Sequence, residues 1–264
     1  MRRRVTKSQI ALTIGLVTLL AAAGCWWWPH ITWAYRVSRN AAKIPAIPVT
    51  TLEASGNTQG WSTCRIGALQ FKVPPEIAEE AERSVAKNDK TMISLKVPSM
   101  ELLIFVPVQA PADAPPPPIV EVADYLKLTP MQMIVDSFRA STDDFRWTMS
   151  RSALHRLQVL LNVGFLFPQY PHARGMKVES SLDGPLQGLL ITYERTKARY
   201  EWCTKTGTDG GLIVFMGTRD LDLDQMRDIC ASVTCNEAKL GPPRTPADVA
   251  ALVDTIEMTK DKAP

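Results

Sequence analysis

The spacing of hydrophobic positions changes along the chain, and each period predicts an element. From Ile10 to Trp28 no charged residue interrupts "IALTIGLVTLLAAAGCWWW". About 20 apolar residues at 1.5 Å each span a bilayer's hydrocarbon core, so this run predicts one crossing. Residues 36 to 58 lose sustained periodicity and carry Pro, Ser, Thr and Gly, which predicts a tether and a folded domain starting near Gln59. "GALQFKV" alternates weakly and stops at Pro74 and Pro75. Ile77, Ala78, Ala81 and Val85 then recur at helical spacing, with Glu79, Glu80, Glu82, Arg83 and Lys87 on the other face.

"MISLKV" and "MELLIFVPV" follow as strands, with Pro98 in the turn between them. "APADAPPPP" cannot supply ladder hydrogen bonds and reads as a semi-rigid surface loop. Thr129 and Pro130 open a helix whose stripe is Met131, Ile134, Val135 and Phe138, and Ser150 or Ser152 opens another that ends before Gly164. The period then switches to two. "MKVESS", "LQGLLITYE", "ARYEWCTK" and "GLIVFMGT" are separated by "LDGP", "RTK" and "TGTDGG", each short enough for a hairpin, so they predict a four-strand antiparallel meander. "DLDLDQMRDICASV" closes the domain as a helix, with Asp222 and Gln225 in capping-box spacing and Met226, Ile229, Cys230 and Val233 facing inward.

The fold class expected is α+β: an antiparallel-sheet sandwich domain behind an N-terminal signal anchor. The boundaries are a basic segment at 1–9, the anchor at 10–28, a juxtamembrane tether at 29–58, the domain at 59–240 and a tail at 241–264 with room for a short helix. In element order, residues 64 to 236 resemble the α/β/α sandwiches typified by the PsbP protein of photosystem II and its bacterial relatives. That family consists largely of non-catalytic binding and assembly factors, so the resemblance implies such a role without locating a site.

Charge and the N-terminus fix the expected address. Arg2, Arg3, Arg4 and Lys7 precede the apolar run, which by the positive-inside rule holds the N-terminus in the cytoplasm and sends the body across. Trp26, Trp27 and Trp28 fall where an interfacial aromatic belt would sit. Two other readings share this layout. The small residues "AAAG" also suit a cleavable signal peptide, and "AAGC" places Cys25 where a lipoprotein carries its lipid, with Ala22 in the usual Leu place. All three put the body outside the cytoplasm. Seven of the 30 basic side chains and none of the 27 acidic ones lie in residues 1 to 45, so the rest of the chain is net acidic by four. A basic groove for nucleic acid is excluded on that ground; the expected partners are the membrane and another envelope protein.

Recognisable chemistry is sparse. Asp220, Asp222 and Asp224 open like a calcium loop, but Gln225 stands where the turn Gly is needed and Ala231 where the bidentate Glu is needed. Acids at a helix N-terminus are what the helix dipole favours. Of the three histidines, His155 lies on the polar side of its helix and His172, in the loop "PQYPHARG", is the one weak catalytic candidate. No H-E-x-x-H, G-x-S-x-G or phosphate-binding glycine loop is present, and no metal or cofactor is expected.

Cysteine supplies the remaining signal. With Cys25 in the anchor, Cys64, Cys203, Cys230 and Cys235 form an even set in an oxidising compartment, which predicts two disulfides among three connectivities. Pairing Cys230 with Cys235 requires the helix to end near Val233, because five helical residues separate them by more than 7 Å. Alternation puts Cys203 on the strand face opposite Tyr200 and Trp202, against a layer other than the core. The expected function is a non-catalytic binding or assembly module; the alternative is an envelope hydrolase whose site only the fold assembles.

Overall fold

A computed structural model describes residues 14–19, 21, 22, 24, 28, 31, 32, 35, 47–87, 89–106, 120, 123, 124, 126–139, 176–206, 210–236 and 245–260. The alternating segments build two sheets. The larger has eight strands: β1 (Val49–Thr51), β4 (Glu82–Val85), β5 (Met92–Val97), β6 (Met100–Phe105), β7 (Lys177–Ser181), β8 (Leu186–Glu194), β9 (Lys197–Thr204) and β10 (Gly210–Gly217), in the order β1-β7-β8-β9-β10-β6-β5-β4. The predicted meander is its centre, with the first two turns, at 182–185 and 195–196, where they were expected. All neighbours are antiparallel except β1 and β7.

The smaller sheet has the order β11-β3-β2-β12, from β2 (Ser62–Ile66), β3 (Leu69–Val73), β11 (Thr234–Cys235) and β12 (Glu257–Lys260). It packs with α3 (Leu223–Ala231) and α4 (Pro246–Val253) on one face of the larger sheet. Leu190, Tyr200, Trp202, Ile213, Phe215, Ile93, Leu95, Leu102 and Ile104 from the large sheet meet Cys64, Ile66, Leu69, Phe71 and Val73 from the small one in a single cluster. The opposite face of the meander receives α2 (Pro130–Arg139), whose Met131, Val135 and Phe138 are buried as the stripe predicted, while Ile134 is half-buried and Met133, outside the stripe, is buried.

Three boundaries differ from the sequence reading. The helix expected through Lys87 is α1 (Pro75–Glu80) and stops after six residues. Ala81 turns extended and Glu82–Val85 pair with β5, so a strand ladder takes residues whose spacing also suits a helix. The tether is shorter than expected: β1 hydrogen-bonds to β7 and Leu52 is buried in the core cluster. The tail beyond 240 is integral. Thr245 and Asp248 form a reciprocal capping box at α4, and β12 completes the small sheet against β2.

Glycine at two strand positions makes room for the two large aromatic side chains of β9. A Cβ on Gly188 would lie 2.1 Å from the Tyr200 hydroxyl, and one on Gly211 would lie 2.6 Å from the Trp202 indole. Gly188, Trp202 and Gly211 are in register across β8, β9 and β10, and the two rings divide the glycines between them, the Tyr200 ring against Gly188 and the indole against Gly211.

Candidate functional site

Among the residues singled out by sequence, Trp28 is helical and 65% exposed. Cys25, Trp26, Trp27, His30, His155 and His172 lie outside the described residues, as does the helix expected after Ser150. Within 10–28, residues 14–19, 21, 22, 24 and 28 are described and helical, and Thr18 donates from its hydroxyl to the Ile14 carbonyl at 2.8 Å. No helix among the described residues is long and apolar enough to cross a membrane.

None of the four body cysteines forms a disulfide in the structure, unlike the expected pairing. The fold gives the reason. Cys64, Cys230 and Cys235 belong to the core between the sheets or pack against it, whereas Cys203 sits on the other face of the large sheet, where its sulfur accepts a hydrogen bond from the Met131 backbone N–H. Each two-bond connectivity would have to join Cys203 to a thiol beyond that sheet. Cys64 and Cys235 flank β3, opposite Phe71 and Leu69. Two strand spacings are about 9.6 Å, beyond disulfide reach. Helix α3 does end at Ala231, early enough to release Cys235 from it, yet no disulfide joins Cys230 to Cys235.

These thiols are chemically quiet. Burial pushes the Cys64 thiol up to about 12 against a smaller opposing pull from Arg83, and burial with the nearby Glu201 charge pushes Cys203 up to about 11. Cys230 is raised by burial first and by the Glu179 carboxylate second. A thiol is nucleophilic as its thiolate, so none of the three is activated.

The acids of "DLDLDQ" have structural partners. Asp222 is the N-cap of α3, its carboxylate accepting from the backbone N–H groups of Asp224 and Gln225 at 2.9 and 3.3 Å. Asp224 accepts from Arg227 at 3.0 Å, and Asp220 forms an exposed pair with Arg195 at 3.8 Å. No group of three or more metal-ligating side chains occurs among the described residues.

Sequence reasoning missed two buried carboxylates. Asp228, 3% exposed on α3, accepts from the Ser55 backbone N–H at 2.6 Å, from the Ser55 hydroxyl at 2.5 Å and from the Gly56 N–H at 3.4 Å. Capture of a distant loop by a carboxylate through hydrogen bonds leaves no trace in a helical pattern; the one signal was an acid directly before the inward-facing Ile229 and Cys230. Glu179 on β7 is 6% exposed, and its Oε1 accepts from Arg227 Nε at 2.8 Å. That hydrogen bond raises the Arg227 guanidinium's pKa above its ordinary value. Both acids sit where α3 meets β7, one strand in from the β1 edge of the large sheet. Together they bind the incoming chain, a sheet strand and a helix into one junction.

No protein-family model, no curated protein and no solved structure matches the chain.

Proposed function

We propose that the protein is a membrane-anchored extracytoplasmic module that binds or assembles with another envelope component rather than catalysing a reaction. One observation carries the anchor. The large apolar side chains that are exposed among the described residues are Ile14, Leu16, Val17, Leu19, Trp28, Ile31 and Tyr35, all at helical positions of the N-terminal segment. A helix with such side chains in water is unfavourable by about 25 cal/mol per Å² of apolar surface, and a bilayer removes that cost. The basic residues before Ile10 give the orientation, body outside the cytoplasm.

The non-catalytic reading is supported by where the reactive groups are. Buried thiols are held protonated, and Asp222, Asp224, Asp228 and Glu179 are engaged in capping, pairing and clasping. The PsbP-like element order belongs to the same proposal and supports an assembly role.

Alkaline carbonate extraction combined with intact-mass analysis tests it. The full chain should stay in the membrane pellet with its N-terminal residues present. A mature chain beginning at a diacylated Cys25, or one released in soluble form after cleavage near Gly24, sinks the signal-anchor reading.

A further inference from the structure

The junction of the N-terminal segment with the body fixes more than attachment. Ile47 donates from its N–H to the Phe138 carbonyl at 2.8 Å, beside the C-terminal end of α2. Val49, Thr50 and Thr51 pair in parallel with Val178, Glu179 and Ser180, the Leu52 N–H donates to the Ser180 carbonyl at 2.8 Å, and Ser55 is clasped by Asp228. The chain therefore enters at one end of the large sheet and runs toward the other, hydrogen-bonded along the way. At the entry end lie the start of β7 at Lys177, the Arg195–Thr196 turn, residues 217–221 and the Pro98–Ser99 turn. They are tied together by the N–H groups of Gly217, Thr218 and Leu221, which donate to the carbonyls of Thr196, Ser99 and Arg195. Asp183, Lys205 and Lys90 mark the far end.

From these facts, and resting on the anchor reading above, we propose that the entry end is the face the domain turns to the lipid headgroups. Twelve residue steps separate helical Tyr35 from Ile47, a span of at most about 43 Å. The nine residues of β8 rise about 30 Å along the sheet. Presenting the far end to the bilayer would require the connecting chain to run back along the whole body, drawn to most of its contour. Presenting the entry end requires no extension. The connecting residues also carry Arg36, Arg39 and Lys43 and no acid, so anionic headgroups draw them down. Both signs of charge occur at the entry end, with Lys96, Lys177, Arg195, Lys197 and Arg219 beside Glu82, Glu101, Asp220, Asp222 and Asp224. Orientation there comes from the attachment point and not from the charge of the body.

The test uses the full wild-type chain in vesicles of phosphatidylcholine and phosphatidylglycerol doped with a phosphatidylethanolamine whose headgroup bears a short amine-reactive ester. Lys96 and Lys177 at the entry end, and Lys90 and Lys205 at the far end, are all exposed. The lipid-borne ester should modify Lys177 first and Lys96 next, each at least fivefold faster than Lys90 or Lys205, while a soluble ester of the same chemistry modifies all four. Equal rates, faster modification at the far end, or modification of none of the four overturns the proposal. Carbonate extraction of the same vesicles reads the anchor separately: a chain that extracts fails as an anchored protein, and a retained chain with the wrong lysine pattern fails only in its orientation.

Discussion

Replacing Asp228 with Ala removes the clasp between α3 and the entering chain, and the cost follows from its geometry. Two of its three bonds, from the Ser55 N–H at 2.6 Å and the Ser55 hydroxyl at 2.5 Å, are short; the Gly56 contact at 3.4 Å is near the limit of a useful bond. Hydrogen bonds to a charged group contribute about 1.5 to 3 kcal/mol each, so the short pair supplies about 3 to 6 kcal/mol. Burying the carboxylate and ordering residues 52 to 56 offset part of that. The expected net loss is about 2 to 4 kcal/mol. With a urea slope of about 2 kcal/mol per molar, the midpoint should fall by about 1 to 2 M at unchanged slope. Ser55→Ala should cost nearly as much, because it leaves a buried carboxylate oxygen without its donor. The double variant should cost little more than either single one, a coupling of at least about 1 kcal/mol. Additive losses, or an Asp228→Ala midpoint within 0.3 M of wild type (about 0.6 kcal/mol at that slope), would refute the clasp.

Three further outcomes are expected. Gly188→Ala places a methyl group against the Tyr200 ring and should destabilise the domain by at least about 1 to 3 kcal/mol, with recovery when Tyr200 is shortened to Val; a neutral Gly188→Ala in thermal unfolding would contradict the packing. The folded-state pKa of Cys64 lies above its unfolded value, so the stabilisation is full below about pH 9 and is lost as the pH rises toward 12; the melting temperature should fall over that window less steeply in Cys64→Val, and parallel curves would remove Cys64 as a contributor. Truncation after residue 240 should cost far more than a tail would, because it deletes β12 from beside β2 and Val249, Leu252 and Ile256 from the core; an unchanged urea midpoint in the truncated chain would show that α4 and β12 are dispensable.

The period of hydrophobic residues determined the meander from Lys177 to Gly217, the stripe of α2 and the inward face of α3. β9 buries every second residue, so a slip of one residue would exchange its buried positions for its half-exposed ones, and each helix buries the side that its apolar stripe marks. Asp222 was legible as a cap because capping is local, spanning three residues. β1 and β12 were not legible. Each is three or four residues of mostly exposed side chains held by backbone bonds to partners more than a hundred residues away, and backbone bonds carry no side-chain signature. The same distinction governs the junction. Sequence showed Ser55 in a polar stretch and Asp228 in a helix, both ordinary there; only the tertiary structure brought the hydroxyl to the carboxylate across 173 positions. Cysteine count suggested two pairs, and only the fold showed that a sheet stands between Cys203 and the other three, because a disulfide depends on a separation in space that residue spacing does not encode.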